Sequence, residues 1–298
     1  MSLLQFALIA ASCVALPTNA GSCTLVENSP VVAGATSTAP VFTGEALDVV
    51  LTGESVRVWD LASGAILYDK NSEAKRPIAS LSKLVTALVT REKLALSDVV
   101  KIPPTVVSAQ RAGVDIALPI GHHASVSDLL LASMVASAND AALTLATALG
   151  GDEAGFVAMA NEFAVNNNLP NTRVANASGL AGGEQYSTAR DVQHMMELAY
   201  QDSVLRDFLS RPSGTLSTQE GARRQYTSTN KLLKTYVPIS AAKTGYTLEA
   251  KENLVIVTEG SHGQQIGVVV LGSGARFQDT KVLVEWIWRN YTWTGSNN

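Results

Sequence analysis

The sequence predicts an α+β fold: one antiparallel sheet built from both chain ends and covered by helices, beside an all-helical lobe. Three observations carry this. β-prone runs stand early, at Ser55-Val56-Arg57-Val58-Trp59-Asp60 and Ala65-Ile66-Leu67-Tyr68. Others stand late, at Ile239 to Thr247, Leu254 to Thr258 and Gln265 to Leu271. Between the two groups, apolar residues recur at helical spacing.

In chain order, Leu3 to Leu16 form an apolar run followed by Pro17-Thr18-Asn19-Ala20, whose small residues suit cleavage before Gly21. Residues 1–20 are therefore expected to be a signal peptide and the mature chain to be exported to the periplasm, although no Lys or Arg precedes the run. Cys13 and Cys23 are the only cysteines, so no disulfide framework is needed. Either is a candidate for lipid attachment, although the leucine expected three positions earlier is missing. Residues 21–53, rich in small and polar residues without a period, read as a flexible tether to a folded domain over 54–298.

The first two strands flank Ala62-Ser63-Gly64, a hairpin turn. Pro77 disfavours helix at Arg76, while Leu81, Leu84, Val85 and Leu88 repeat behind it, so a helix is expected from about Ala79 or Ser80. Lys101 to Gly121 carries prolines and glycines and is expected to be irregular. Ser125-Val126-Ser127-Asp128 starts a helix buried through Leu129, Leu130 and Met134. Ser137-Ala138-Asn139 interrupts it, and an Ala- and Leu-rich helix continues from Asp140 to Leu149, ended by Gly150-Gly151. Phe156 to Leu169 and a capped segment from Ser187 to about Tyr200 are helical, and a last helix covers roughly Gln278 to Trp288.

With 298 residues and 46% hydrophobic content the chain can bury a sizeable core. A net charge of -4 argues against general nucleic-acid binding. No apolar run after the leader reaches the ~18 residues of a membrane span, so no integral segment is expected in the mature chain. His122 and His123 are adjacent while His194 and His262 lie far off, so no metal-ligand spacing recurs. Neither a metal nor a cofactor is expected.

Chemistry concentrates at the start of the Ser80 helix. Ser80 and Lys83 are three residues apart and share a face, so the amine can reach the hydroxyl. A desolvated lysine with a lowered pKa can take the proton that a serine must lose to attack a carbonyl. Two more motifs follow in order: Ser137-x-Asn139 at a helix corner, and Lys243-Thr244-Gly245 on a strand. Each alone also fits a structural role, as a helix cap, a helix corner or an edge-strand lysine. The ordered set is far more specific.

Beyond these motifs the chain resembles the D-alanyl-D-alanine carboxypeptidases and DD-endopeptidases, low-molecular-mass penicillin-binding proteins. The likeness runs from about Val56 to the last helix. It includes Pro77 to Lys83, Ser137-Ala138-Asn139-Asp140-Ala141-Ala142, Asn176-Ala177-Ser178-Gly179-Leu180, Tyr186 to Asp191, and Ala242-Lys243-Thr244-Gly245-Tyr246-Thr247. The resemblance implies that Ser80 attacks the carbonyl of a D-Ala-D-Xaa bond with Lys83 as base, and that water releases the acyl-enzyme. It implies that Ser137 and Lys243 pass a proton to the leaving amine, Asn139 holds the substrate amide, and Thr244 with Lys243 binds a carboxylate. The N–H groups of Ser80 and Tyr246, reached past Gly245, would form the oxyanion hole.

The implied partners are peptidoglycan stem peptides, with β-lactams as covalent inhibitors. Ser-Ala-Asn-Asp-Ala-Ala looks like the Ser-Gly-Asn-Asp-Ala-Ala form common in carboxypeptidases, which is the expected activity. The alternative is a DD-endopeptidase, favoured by the lack of the β-rich domain and amphipathic anchor that many members carry after the catalytic domain. A non-catalytic peptidoglycan-binding protein is the remaining reading. The Glu-x-x-Leu-Asn segment of a β-lactamase type is missing, since Glu162 begins Glu-Phe-Ala-Val-Asn.

Overall fold

The structure is a computed structural model and describes residues 38–44, 49–111 and 113–293. The expected signal peptide, Cys13, Cys23 and most of the expected tether lie outside those residues. Within the tether stretch, β1 (Val41–Phe42) pairs antiparallel with β11 (Tyr291–Thr292). Nearby, the Asp279 carboxylate accepts from the backbone N–H groups of Thr52 and Gly53 and from the Thr52 hydroxyl. The two ends of the described stretch are thus tied together.

The central sheet is antiparallel, in the order β3-β2-β10-β9-β8. Its members are β2 (Ser55–Asp60), β3 (Ile66–Lys70), β8 (Ile239–Thr247), β9 (Lys251–Glu259) and β10 (Gln265–Ser273). The β2 and β10 pairing, with Val58 opposite Val268, joins the early hairpin to the late strands as expected. Alternation along these strands gives the sheet two apolar faces. Val56, Val58, Leu254, Ile256, Val268 and Val270 pack with Leu283, Val284 and Ile287 of α8 (Arg276–Asn290). The other face belongs to the larger core, where Val255, Val257 and Val269 meet the helices.

Those helices form the expected lobe. Its members are α1 (Lys83–Lys93), α3 (Val126–Val135), α4 (Asn139–Gly150), α5 (Glu153–Asn166) and α6 (Ala189–Gln201). The Ser125 side chain caps α3 by accepting from the Asp128 N–H, and Thr188 caps α6 through Asp191. The helix expected near Ala79 begins as a 3₁₀ turn, Ala79–Ser82, and becomes α only at Lys83, because Ala79 adopts φ +49°.

The stretch expected to be irregular contains the end of β4 (Val99–Lys101), which pairs with β5 (His123–Ser125), and a short helix α2 (Val106–Arg111). With only Val106 and Ala109 buried, α2 is too short to show a period. Two further elements had no sequence counterpart: α7 (Ser203–Ser210), and the hairpin of β6 (Ser213–Ser217) and β7 (Arg223–Thr227). Arg223-Arg224-Gln225 in β7 are mostly exposed and supply no apolar alternation. No helix among the described residues is long and apolar enough to cross a membrane.

Candidate active site

The Ala79–Ser82 turn, the α3–α4 corner and the C-terminal half of β8 converge on one cleft of about 660 Å³. Ser80, Ser137, Asn139, Thr244, Gly245 and Tyr246 all line it. Lys83 and Lys243 stand behind this wall, 0% and 1% exposed. All eight residues singled out from sequence therefore meet at one place, although they span more than half the chain.

Lys83 lies one helical turn beyond Ser80, and its Nζ donates to Ser80 Oγ at 2.8 Å. The same Nζ donates to Asn139 Oδ1 at 2.8 Å and to the Ser178 carbonyl. Burial drives the Lys83 ammonium well below the usual lysine range. The nearby Lys243 pushes the same way, and buried Asp140 opposes both. The lowered pKa favours loss of a proton from Nζ, as a base for the serine hydroxyl requires.

Lys243 is the second buried cation. Its Nζ donates to Ser137 Oγ at 2.8 Å and to the Thr244 carbonyl at 3.0 Å. Burial first, and then the charge of Arg276, push it down to about 7. Ser137 has φ +59°, a left-handed conformation that a non-glycine residue adopts at some energetic cost. Its place between α3 and α4 turns the hydroxyl toward β8.

Gly245 explains how strand and turn come so close. A Cβ there would lie 2.7 Å from the Ile78 carbonyl oxygen and 3.1 Å from the Ser80 nitrogen. Only glycine permits that approach, which brings the backbone after Gly245 beside the amide of Ser80. Gly179 does the same from the other side. At φ +79°, a Cβ on it would lie 2.1 Å from the Ala79 carbonyl oxygen.

Three groups near the cleft were not assigned roles from sequence. Arg276, at the start of α8, donates from Nη1 to the Gly245 carbonyl at 2.7 Å, and its buried Nε has no partner. No local pattern marks it, because its relation to Gly245 spans 31 residues. The Ser178 carbonyl accepts from both Ser80 Oγ, at 3.2 Å, and Lys83. Asn176 Oδ1 holds that loop by accepting from the N–H groups of Ser178, Gly179 and Leu180. The Asn-Ala-Ser-Gly-Leu run was visible, but a backbone carbonyl leaves no signature of its own. Buried Asp140 accepts from the N–H groups of Leu118 and Ala141 and so anchors the wall that includes Val114.

His122 and His123 turn instead to the β6–β7 turn. His122 bonds Thr218 and His123 bonds Glu220. Among the described residues no group of three His, Cys, Asp or Glu side chains could hold a metal ion.

A two-lobed α+β fold with a cleft serine, a buried lysine bonded to it and a second buried lysine on the facing strand is the arrangement an active-site serine acyl-transfer enzyme needs. Comparison with known proteins narrows this. The family model for D-alanyl-D-alanine carboxypeptidase matches residues 43–274, and the chain belongs to that family.

A D-alanyl-D-alanine endopeptidase of Pseudomonas aeruginosa is 31% identical over 271 residues, covering 89% of this chain and 86% of its own. The D-alanyl-D-alanine carboxypeptidase DacF of Bacillus subtilis is 30% identical over 225 residues, covering 74% of this chain and 57% of its own. The chain thus spans little more than half of that relative. The crystal structure of the Streptomyces K15 DD-transpeptidase superposes with a TM-score of 0.75 at 27% identity, covering 82% of this chain and 99% of that one.

Proposed function

We propose that the chain is a serine D-alanyl-D-alanine carboxypeptidase acting on peptidoglycan stem peptides through an acyl-enzyme. The observation that carries this is the 2.8 Å contact between a fully buried Lys83 amine and Ser80 Oγ at the floor of an open cleft. Ser80 Oγ attacks the carbonyl carbon of the penultimate D-alanine as its proton passes to Lys83 Nζ. The oxyanion is held by the N–H groups of Ser80 and Tyr246. Lys243, through Ser137 Oγ, returns a proton to the departing amine, and the bond to the terminal D-alanine breaks. Water then attacks the ester, giving a proton to Lys243 through Ser137 Oγ, while Lys83 returns its proton to Ser80 Oγ as the acyl product leaves.

Asn139 orients the substrate amide. Thr244, Lys243 and Arg276 receive the terminal carboxylate, since Arg276 lines the cleft beside Thr244 and a guanidinium is a strong carboxylate partner. β-Lactams acylate the same oxygen. The leader reading places this activity in the periplasm, and recovery of the mature chain only with membranes would instead favour lipid on Cys13 or Cys23.

A second reading is DD-endopeptidase, favoured by the fuller coverage of the Pseudomonas relative. The purified protein should release D-alanine from a monomeric pentapeptide faster than it releases monomers from a cross-linked dimer. Monomer release from the dimer with no loss of D-alanine from the pentapeptide would reverse the choice. No covalent labelling by penicillin would sink both readings in favour of a binding protein.

A further inference from the structure

The active-site cleft is electrically two-ended. Of the residues that line it only Arg276 and Glu249 are charged, and they form no ion pair with each other. Arg276 lies by Thr244, with its Nη1 donating to the Gly245 carbonyl. Glu249 lies beyond the end of β8, exposed in the turn that leads to β9. Lys251, two residues on, is engaged by Glu54, so the Glu249 carboxylate has no cationic partner among the described residues. Beside it Leu248 is 90% exposed and Tyr246 57% exposed, and both line the cleft.

The proposed reaction sets the direction of the substrate. With its terminal carboxylate at Thr244 and the oxyanion at the Tyr246 N–H, the peptide runs antiparallel to β8, an edge strand of the sheet, and its N-terminal side points toward Thr247 and the turn. Three steps from Thr244 to Thr247 cover about 10 Å. The last two residues of the peptide cover about 7 Å, so the residue before them comes alongside Thr247 and Leu248. In a stem peptide that third residue is a diamino acid. We infer that Glu249 recognises its free side-chain ammonium, while the methylene chain lies along Leu248 and Tyr246. This inference rests on the stem-peptide reading above. It holds for a carboxypeptidase and an endopeptidase alike, because the third residue is on the acyl side of the scissile bond in both.

A stem peptide then meets opposite charge at two points, its carboxylate on Arg276 and its ammonium on Glu249. Cross-linking acylates that amine and removes its charge, which leaves Glu249 without a partner. The enzyme therefore selects stems whose amine has not yet been used. Because Glu249 is exposed, the pair is a weak one, equivalent to a preference of about fivefold that salt screens.

The test measures D-alanine release by the intact protein from two soluble peptides. One is Nα-acetyl-L-lysyl-D-alanyl-D-alanine with its side-chain amine free, and the other is the same peptide with that amine acetylated. The free-amine peptide should show a kcat/KM about fivefold higher, mainly through KM, and the difference should shrink toward parity at about 1 M salt. Glu249→Gln should bring the two peptides to parity, and Glu249→Lys should reverse the preference. Equal kcat/KM for the two peptides in the wild type would overturn the proposal. So would a preference that survives in Glu249→Gln while both rates fall together, which is the mark of a merely structural role. If neither peptide releases D-alanine, the carboxypeptidase reading fails instead, and competition against penicillin labelling decides the proposal. The free-amine peptide should then block labelling at a lower concentration than the acetylated one, and equal blocking overturns it.

Discussion

The two faces of the central sheet are built on opposite principles. Against α8, side chains such as Val56, Ile256, Val268 and Ile287 are aliphatic and at most 1% exposed, so burial there stabilises the fold directly. Where β8 meets the Ala79–Ser82 turn, the chain instead buries two lysines and holds Ala79 and Ser137 in left-handed conformations. A buried cation and a strained backbone both raise the energy of the folded state. The α8 face thus supplies the stability margin within which the cleft can hold unfavourable groups. Variants in the cleft should therefore cost activity without costing stability, and variants on the α8 face the reverse.

The largest effect is expected for Ser80→Ala, which should abolish covalent labelling by penicillin, because the ester is proposed to form on the Ser80 hydroxyl bonded to Lys83. Persistent labelling would remove Ser80 from the mechanism. Lys83→Arg should come close behind, with acylation reduced on the order of a thousandfold. The charge is kept, but a guanidinium does not surrender its proton at usable pH. Near-normal acylation would make Lys83 merely electrostatic and erase the chemical half of the contrast.

How much of this contrast could be read from the chain depends on how local each signal is. The strands of the central sheet and the α8 helix were legible because β-branched runs and helical periodicity are written in consecutive residues, as in Leu254-Val255-Ile256-Val257 of β9. Ser80 with Lys83, Ser137 with Asn139, and Lys243-Thr244-Gly245 were legible for the same reason. Arg276 was not, since it matters only once β8 and α8 are brought together. The Ser178 carbonyl was not, since any residue carries one. α7 and the β6–β7 hairpin escaped because their chain is short or polar.

A third prediction separates stability from activity within the cleft. Lys243 has its folded pKa pushed down to about 7 against an ordinary value of 10.5. Between those values the unfolded chain binds the extra proton, so stability rises with pH across that window and the penalty is full below pH 7. Lys243→Leu should therefore lose activity yet unfold at higher denaturant at pH 6, by on the order of 3 kcal/mol, with the advantage gone by about pH 10.5. Denaturant titrations at several pH values check this. A variant destabilised at pH 6 would show that the hydrogen bonds to Ser137 and Thr244 outweigh desolvation.

Arg276→Gln should act more mildly. It removes the proposed carboxylate partner while sparing Ser80 and Lys83, so KM for the pentapeptide should rise about tenfold with kcat less affected, a loss of about 1.4 kcal/mol. A fall confined to kcat would place Arg276 in the chemical step, through its effect on Lys243.

The smallest effect is expected on the α8 face, and it tests the comparison most directly because α8 serves both regions. Arg276 begins the helix, and Ile287 lies eleven residues later, about 16 Å along its axis. Ile287 is 0% exposed in the aliphatic cluster. Ile287→Val removes one methylene group and should cost about 1 kcal/mol, seen as a melting temperature lower by roughly 2–4 °C. Sites this far apart with no shared partner ordinarily contribute independently. Penicillin acylation and pentapeptide KM should therefore stay at wild-type values at temperatures where the variant remains folded. A raised KM in this variant would mean that packing beneath α8 sets the position of Arg276. The two faces would then be one coupled unit, with the aliphatic side tuning the reactive one.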